Sequence, residues 1–160
     1  MADISGGNLI DDLAGLDFSA VSPEEFARIV KGLSAKQLGE IMHGELRARI
    51  LREVFGRMKQ QFRPEAAGQL QALIRWKITA DDGGGDDVFE TSISGGACRV
   101  SEGHSEAEPR TTLVMGPAEF LKLASDNGNP VTMFMMRKLK VAGDVGLASG
   151  LTRYFDIPKA

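Results

Sequence analysis

Few side chains in this sequence carry reactive chemistry, and their spacing limits what they can do. There are two histidines, His43 and His104, and a single cysteine, Cys98. No motif ties the three together, and HExxH, CxxC, GxSxG, GxGxxG and GKS/T patterns are all missing. The common zinc, redox, hydrolase and nucleotide chemistries therefore have no signature here. A nucleophile–base pair would have to be assembled in space from distant positions. Asp81-Asp82 and Asp86-Asp87 bracket three glycines. They lack the alternating spacing and closing glutamate of a calcium loop, so a solvated turn is the simpler reading. The same carboxylates would repel a phosphate from those glycines. No catalytic residue, metal ligand or cofactor is expected.

The remaining charged cluster is basic. Arg47, Arg49, Arg52, Arg57 and Lys59 fall in one helical stretch, partly balanced by Glu45 and Glu53. An ordinary solvated face accounts for them, with contact to anionic lipid headgroups as the functional alternative. The whole chain carries a net charge of −3, which argues against nucleic acid as a partner. At 160 residues with 42% hydrophobic side chains, it is long and apolar enough to bury one sizeable core. A lone cysteine fits a reducing compartment, and the acidic start "MADISGGNLIDDLAGLD" lacks the features of a signal peptide. A cytoplasmic protein is expected.

These residues are set out on elements that the periodicity makes legible. Residues 1–20 are rich in Gly and Asp and read as a flexible tail. Residues 21–63 read as three amphipathic helices. Ser22 and Ser34 are N-caps with Glu25 and Gln37 completing capping boxes, and a long apolar stripe runs from Leu46 to Phe62. Near residue 70 the apolar period changes from 3.6 to 2. Ala72, Ile74, Trp76 and Ile78 alternate with Leu73, Arg75, Lys77 and Thr79, as in a half-buried strand. "VFETSIS" and "ACRVSEG", split by Gly95-Gly96, read as a hairpin, and "RTTLVMG" as a further strand. A helix from Pro117, a short helix capped by Asn129, a strand over "KLKVAGD" and a final helix from Asp144 complete the chain. Segregated strands and helices give an α+β class: a five-stranded mixed, mostly antiparallel sheet with helices covering one face.

The last third is the richest in apolar side chains, with four of the seven methionines between Met115 and Met136. Methionine suits irregular or exchangeable apolar surfaces. Periodicity alone leaves both ordinary core packing and a ligand cavity open, core packing being the commoner arrangement.

The stretch "GNPVTMFMMRKLKVAGDVGLASGL" resembles the sterol carrier protein type 2 family, with its asparagine-proline turn, lysine-leucine-lysine strand and glycine-aspartate step into a helix. "TTLVMGPAEFLKLASDNGNP" and "ALIRWKITADDGG" resemble other segments of that family, in its order. The resemblance covers about residues 65–156 and implies a sheet and helices enclosing a hydrophobic tunnel. It also implies non-covalent binding or transfer of a sterol, fatty acid, fatty acyl-CoA or related lipid. Mapped onto this sequence, the expected lining is Trp76, Ile93, Met115, Phe120, Met133, Phe134, Met136, Leu139, Val141, Leu147 and Leu151. Arg137, Lys138 and Lys140 are the expected headgroup and entrance residues. Arg137 departs from the glycine or glutamine common at its position, and the chain ends "IPKA" rather than in a peroxisomal tripeptide. The helical extension of 21–63 resembles the leaders of bacterial relatives, and 64–160 is the expected lipid-binding domain. Membrane contact is expected to be transient at most. A core filled by its own side chains, with the N-terminal helices serving an interaction or homodimer, is the alternative. An enzyme acting on a lipid-like substrate is a more remote one.

Overall fold

A computed structural model describes residues 20–42, 44–80, 85–125 and 129–155. His43, Asp81, Asp82 and the tail before residue 20 lie outside the described residues.

The N-terminal half is built by capped helices. Ser22 accepts a hydrogen bond from the Glu25 amide at 3.1 Å and starts α1 (Pro23–Lys31). Ser34 and Gln37 form a reciprocal capping box at α2 (Ala35–Ile41). The 18-residue α3 (Gly44–Gln61) follows, and a single turn, α4 (Pro64–Ala67), leads into the sheet. Val30, Leu38, Ile41, Met42, Ile50, Leu51 and Phe55 are all buried, and they belong to one cluster with the core of the sheet.

The strands are β1 (Ala72–Ile78), β2 (Asp87–Ser94), β3 (Ala97–Glu102), β4 (Thr111–Met115) and β5 (Leu139–Gly143), in the order β3-β2-β1-β4-β5. Three pairings are antiparallel, and β1 runs parallel to β4 with Trp76 beside Leu113. Gly95 and Gly96 both have positive φ, 58° and 76°, as the tight β2–β3 hairpin requires. The register puts Ile74, Trp76, Ile78, Phe89, Ile93, Leu113, Met115 and Leu139 on one face, where they pack under the helices.

The opposite face departs from a simple polar surface. Arg75 and Glu90 are direct neighbours across β1 and β2 and almost wholly buried, with a 2.7 Å ion pair. The segment after β3 closes over them. Arg75 donates to the carbonyls of Ser105 and Ala107, and the Ser105 amide donates to the Glu90 carboxylate.

A second arginine fixes the helices to the sheet. Arg47, expected on a solvated face, is buried and donates to Asp87 at 2.6 Å and to the Ile78 and Thr79 carbonyls at 2.7 and 2.9 Å. Arg57 pairs with Glu53, and Arg52 lies 3.5 Å from Glu102. The basic stretch is thus largely consumed by internal pairing, because a helix lying on a sheet must turn part of its circumference inward.

The remaining helices are α5 (Pro117–Ala124), α6 (Pro130–Met135), α7 (Val145–Ser149) and α8 (Leu151–Tyr154). Asn129 caps α6 through the Val131 and Thr132 amides, as its position predicts. The single final helix expected from Asp144 is broken at Gly150 into two short ones. The glycine-aspartate step between β5 and α7 has a steric reason. Gly143 sits at φ 103°, where a Cβ would run into the Arg110 carbonyl oxygen, and Asp144 then caps α7 through the Leu147 amide. That hydrogen bond, with a smaller contribution from Arg110, holds the Asp144 carboxyl below its usual value.

Candidate functional site

Between the sheet and the helices lies an apolar cavity of about 40 Å³. Val54, Met58 and Gln61 of α3 form one wall, and Phe120, Leu123 and Ala124 of α5 another. Trp76 rises from the centre of β1, while Leu151 of α8 and Phe155 beyond it close the remaining side. Gln61 is the one polar side chain among these nine.

The aromatic residues around the cavity pack as a unit. Phe55, one turn from Met58 on α3, stacks on Phe89 with centroids 4.2 Å apart and on Phe120 at 5.2 Å. It meets Trp76 edge-on at 5.7 Å. Trp76 is held by one hydrogen bond: its indole N–H donates to the Thr91 hydroxyl at 3.0 Å, and that hydroxyl lies 3.3 Å from the Met58 sulfur. Thr91 is fully buried and thus ties two wall residues together. At the far end Phe155 pairs with Phe62 as an isolated β-bridge, their rings 5.8 Å apart. The Arg63 amide donates to the Tyr154 carbonyl at 2.7 Å beside them.

The expected lining divides into three groups. Trp76, Phe120 and Leu151 form part of the wall. Ile93, Met115, Met133, Leu139 and Leu147 are buried in the surrounding core, and Val141 is half-buried. Phe134 and Met136 are 42% and 59% exposed, so they face away from the cavity. The reason is the phase of a six-residue helix: α6 buries Pro130 and Met133, which turns Val131, Phe134 and Met135 outward. Arg137 and Lys138 are exposed at the end of that helix. Lys140 is exposed on β5 between Leu139 and Val141, which puts it on the sheet face opposite the cavity.

Six wall residues fall outside that expectation: Val54, Met58, Gln61, Leu123, Ala124 and Phe155. Val54 and Met58 belong to the apolar stripe of α3, a helix that the periodicity places in the extension of residues 21–63 rather than in the site. Of the reactive side chains, the described His104 and Cys98 lie elsewhere. His104 is exposed in the segment between β3 and β4. Cys98 is half-buried on β3, and burial, opposed by nearby Lys59, pushes its thiol up to about 11. Among the described residues no three His, Cys, Asp or Glu side chains come together as a metal site. No helix among them is long and apolar enough to cross a membrane.

Residues 51–156 match the family described as the SCP-2 sterol transfer family, about two thirds of the chain. The chain belongs to that family. Its similarity to the sterol carrier protein 2 of Yarrowia lipolytica, solved without ligand, has a TM-score of 0.53 at 19% identity and covers 67% of this chain and 91% of that one. A double mutant of the sec-alkyl sulfatase PisA1 has a region of similar fold, with a TM-score of 0.57 at 12% identity over 65% of this chain but only 16% of the enzyme. In sequence the chain is 30% identical over 103 residues to hydroxysteroid dehydrogenase-like protein 2 of Mus musculus. It spans about a fifth of the length of that relative. The SCP-2 match begins at residue 51, inside α3, so the helix that supplies Val54, Phe55 and Met58 is partly inside the family region. Membership of the family carries lipid or sterol binding or transfer as the general function.

Proposed function

We propose that the chain binds a hydrophobic ligand (a fatty acid, a fatty acyl-CoA or a sterol) in the cavity between α3, α5, α8 and β1, and transfers it without covalent chemistry. The observation that carries this reading is the composition of the cavity wall, eight apolar side chains and one glutamine. Apolar burial supplies about 25 cal/mol per Å² of ligand surface, and a single polar side chain is enough to orient a polar end.

At about 40 Å³ the cavity has room for roughly three water molecules. A ligand the size of an acyl chain therefore enters only as the walls move apart. The wall best suited to move is α8, a single turn between Gly150 and Phe155. The flexible thioether of Met58 is suited to refit the space afterwards. Arg137 and Lys138, exposed at the end of α6, are the expected contacts for an anionic head, a role that varying the ligand's polar end tests.

Two features weigh against the other readings. The apolar faces of α1 and α2 are already buried, through Val30, Leu38, Ile41 and Met42, which leaves little of them for a partner. Neither Cys98 nor His104 lies on the cavity wall, so an enzymatic step there has no nucleophile or base among the described wall residues.

Native mass spectrometry of the purified chain, with titration by a fluorescent fatty acid and a fluorescent sterol, tests the proposal. A co-purifying lipid, or uptake lost on narrowing the cavity, supports it. Absence of both lipid and uptake overturns it.

A further inference from the structure

Among the described residues the exposed apolar surface is concentrated in one place. Val131, Phe134, Met135, Met136 and Val145 are the large hydrophobic side chains that remain exposed among the described residues, at 42% to 76%. Val131, Phe134 and Met135 fall at i, i+3 and i+4, so they form a single face of α6. Met136, the C-cap residue, is exposed just beyond it, and Val145 opens α7, which packs against α6. A contiguous cluster of this kind is not ordinary surface scatter.

The segment that carries this face is basic: from Asn129 to Gly143 there are three cations and no Asp or Glu, in a chain whose net charge is −3, and Asp144, next in the chain before Val145, is paired with Arg110. Arg137 and Lys138 follow directly on Met136 and are exposed, with no acidic partner among the described residues.

The backbone singles out Arg137. Its φ is 62°, the one positive value among the described non-glycine residues. It occupies the left-handed position of a helix-ending motif in which the Lys138 amide donates to the Met133 carbonyl at 2.8 Å and the Arg137 amide to Phe134 at 3.1 Å. Glycine is the residue that such a position favours. A large cation kept where glycine would fit better, beside an outward apolar face, is a local rule broken at a surface with something to contact.

We infer that the outer face of α6, with Arg137 and Lys138, is a docking surface for an anionic phospholipid membrane. The apolar side chains enter the headgroup–acyl boundary while the two cations stay with the phosphates and carboxylates above it. A bilayer accepts a short convex helix without needing a matching groove. A second copy of the same chain is a poorer occupant, since it would set these cations against their own kind. The inference does not depend on what the cavity holds.

Co-sedimentation of the full chain with phosphatidylcholine vesicles, with and without phosphatidylserine, tests it. Binding is expected to be stronger on the phosphatidylserine vesicles and to weaken with salt. Phe134→Ser combined with Met135→Ser should weaken it by about tenfold or more. Arg137→Gly should weaken it about fivefold while raising the melting temperature, a combination that a purely structural role does not give. Arg99→Gln removes the same charge from the opposite edge strand, β3, and should leave binding unchanged. Fatty acid uptake from solution should persist in the Phe134/Met135 variant, which separates this surface from the cavity. Absence of binding to the phosphatidylserine vesicles overturns the inference. So does binding insensitive to the α6 variants, or equal on neutral vesicles. Self-association that the same variants abolish would assign the face to a second copy and also overturn it.

Discussion

Arg75 and Glu90 meet across β1 and β2 at 2.7 Å, with side chains only 7% and 3% exposed, on the sheet face opposite the cavity. Burial alone would raise the Glu90 carboxyl, but hydrogen bonds from Ser105 and Arg75 outweigh it and hold the group below its ordinary value of 4.5. Folding therefore favours the charged carboxylate. The resulting stabilisation is complete above about pH 4.5 and is lost as the pH falls through the lower folded value. Removing one partner, in Arg75→Met or Glu90→Gln, should cost about 3 kcal/mol or more by urea unfolding at neutral pH. Glu90→Gln should also flatten the acid end of the stability curve. A Glu90→Gln protein as stable as the parent at neutral pH, or with the same acid profile, would remove the pair from the account of this face.

Thr91 should matter more than its size suggests. Replacing it with valine keeps the shape but leaves the buried Trp76 indole N–H without its acceptor, at a cost of about 1–3 kcal/mol. Serine at this position should restore most of the loss. Trp76 is the only tryptophan, so its fluorescence reports the change directly.

Ala124 tests the cavity. Leucine at this position projects added carbons into the space between α3 and α5 and should abolish fatty acid and sterol uptake. Stability should stay level or rise by up to about 1 kcal/mol, since an existing void is filled. Uptake that survives Ala124→Leu would mean that ligand binds somewhere else.

Cys98 should be a slow thiol. With its pKa pushed up to about 11 from 9.0, its thiolate fraction near pH 8 is about a hundredfold below that of an unperturbed thiol. Reaction with a disulfide reagent should accelerate up to about pH 11, and unfolding in urea should remove the difference. Rapid modification of the folded protein at pH 8 would contradict this environment.

Much of the architecture can be read in the residue order. Ser22, Ser34, Asn129 and Asp144 announce helix starts, and Gly95-Gly96 announces the hairpin, because both depend on neighbours within a few positions. What resists reading depends on residues brought together from afar. Arg75 looks like the solvent side of an alternating strand, and only the segment around Ser105 turns it into a buried charge. Arg47 looks like one of five surface cations until Ile78, Thr79 and Asp87 arrive beside it. The candidate site was legible in part: Trp76, Phe120 and Leu151 were identifiable as apolar and central. Phe134 and Met136 have the same character, and only the packing of Met133 decides that they point out. The α3 wall was hidden because Val54 and Met58 come long before the segments that carry the family resemblance.

The joint between Phe62 and Phe155 gives the cavity a reporter. The Arg63 amide donates to the Tyr154 carbonyl beside that joint, next to the two residues, Leu151 and Phe155, that close one side of the cavity. Each excursion that swings α8 outward must release this proton to solvent. The exchange rate of that single amide is therefore a clock for how often the chamber opens, readable in the empty protein and before any ligand has been chosen.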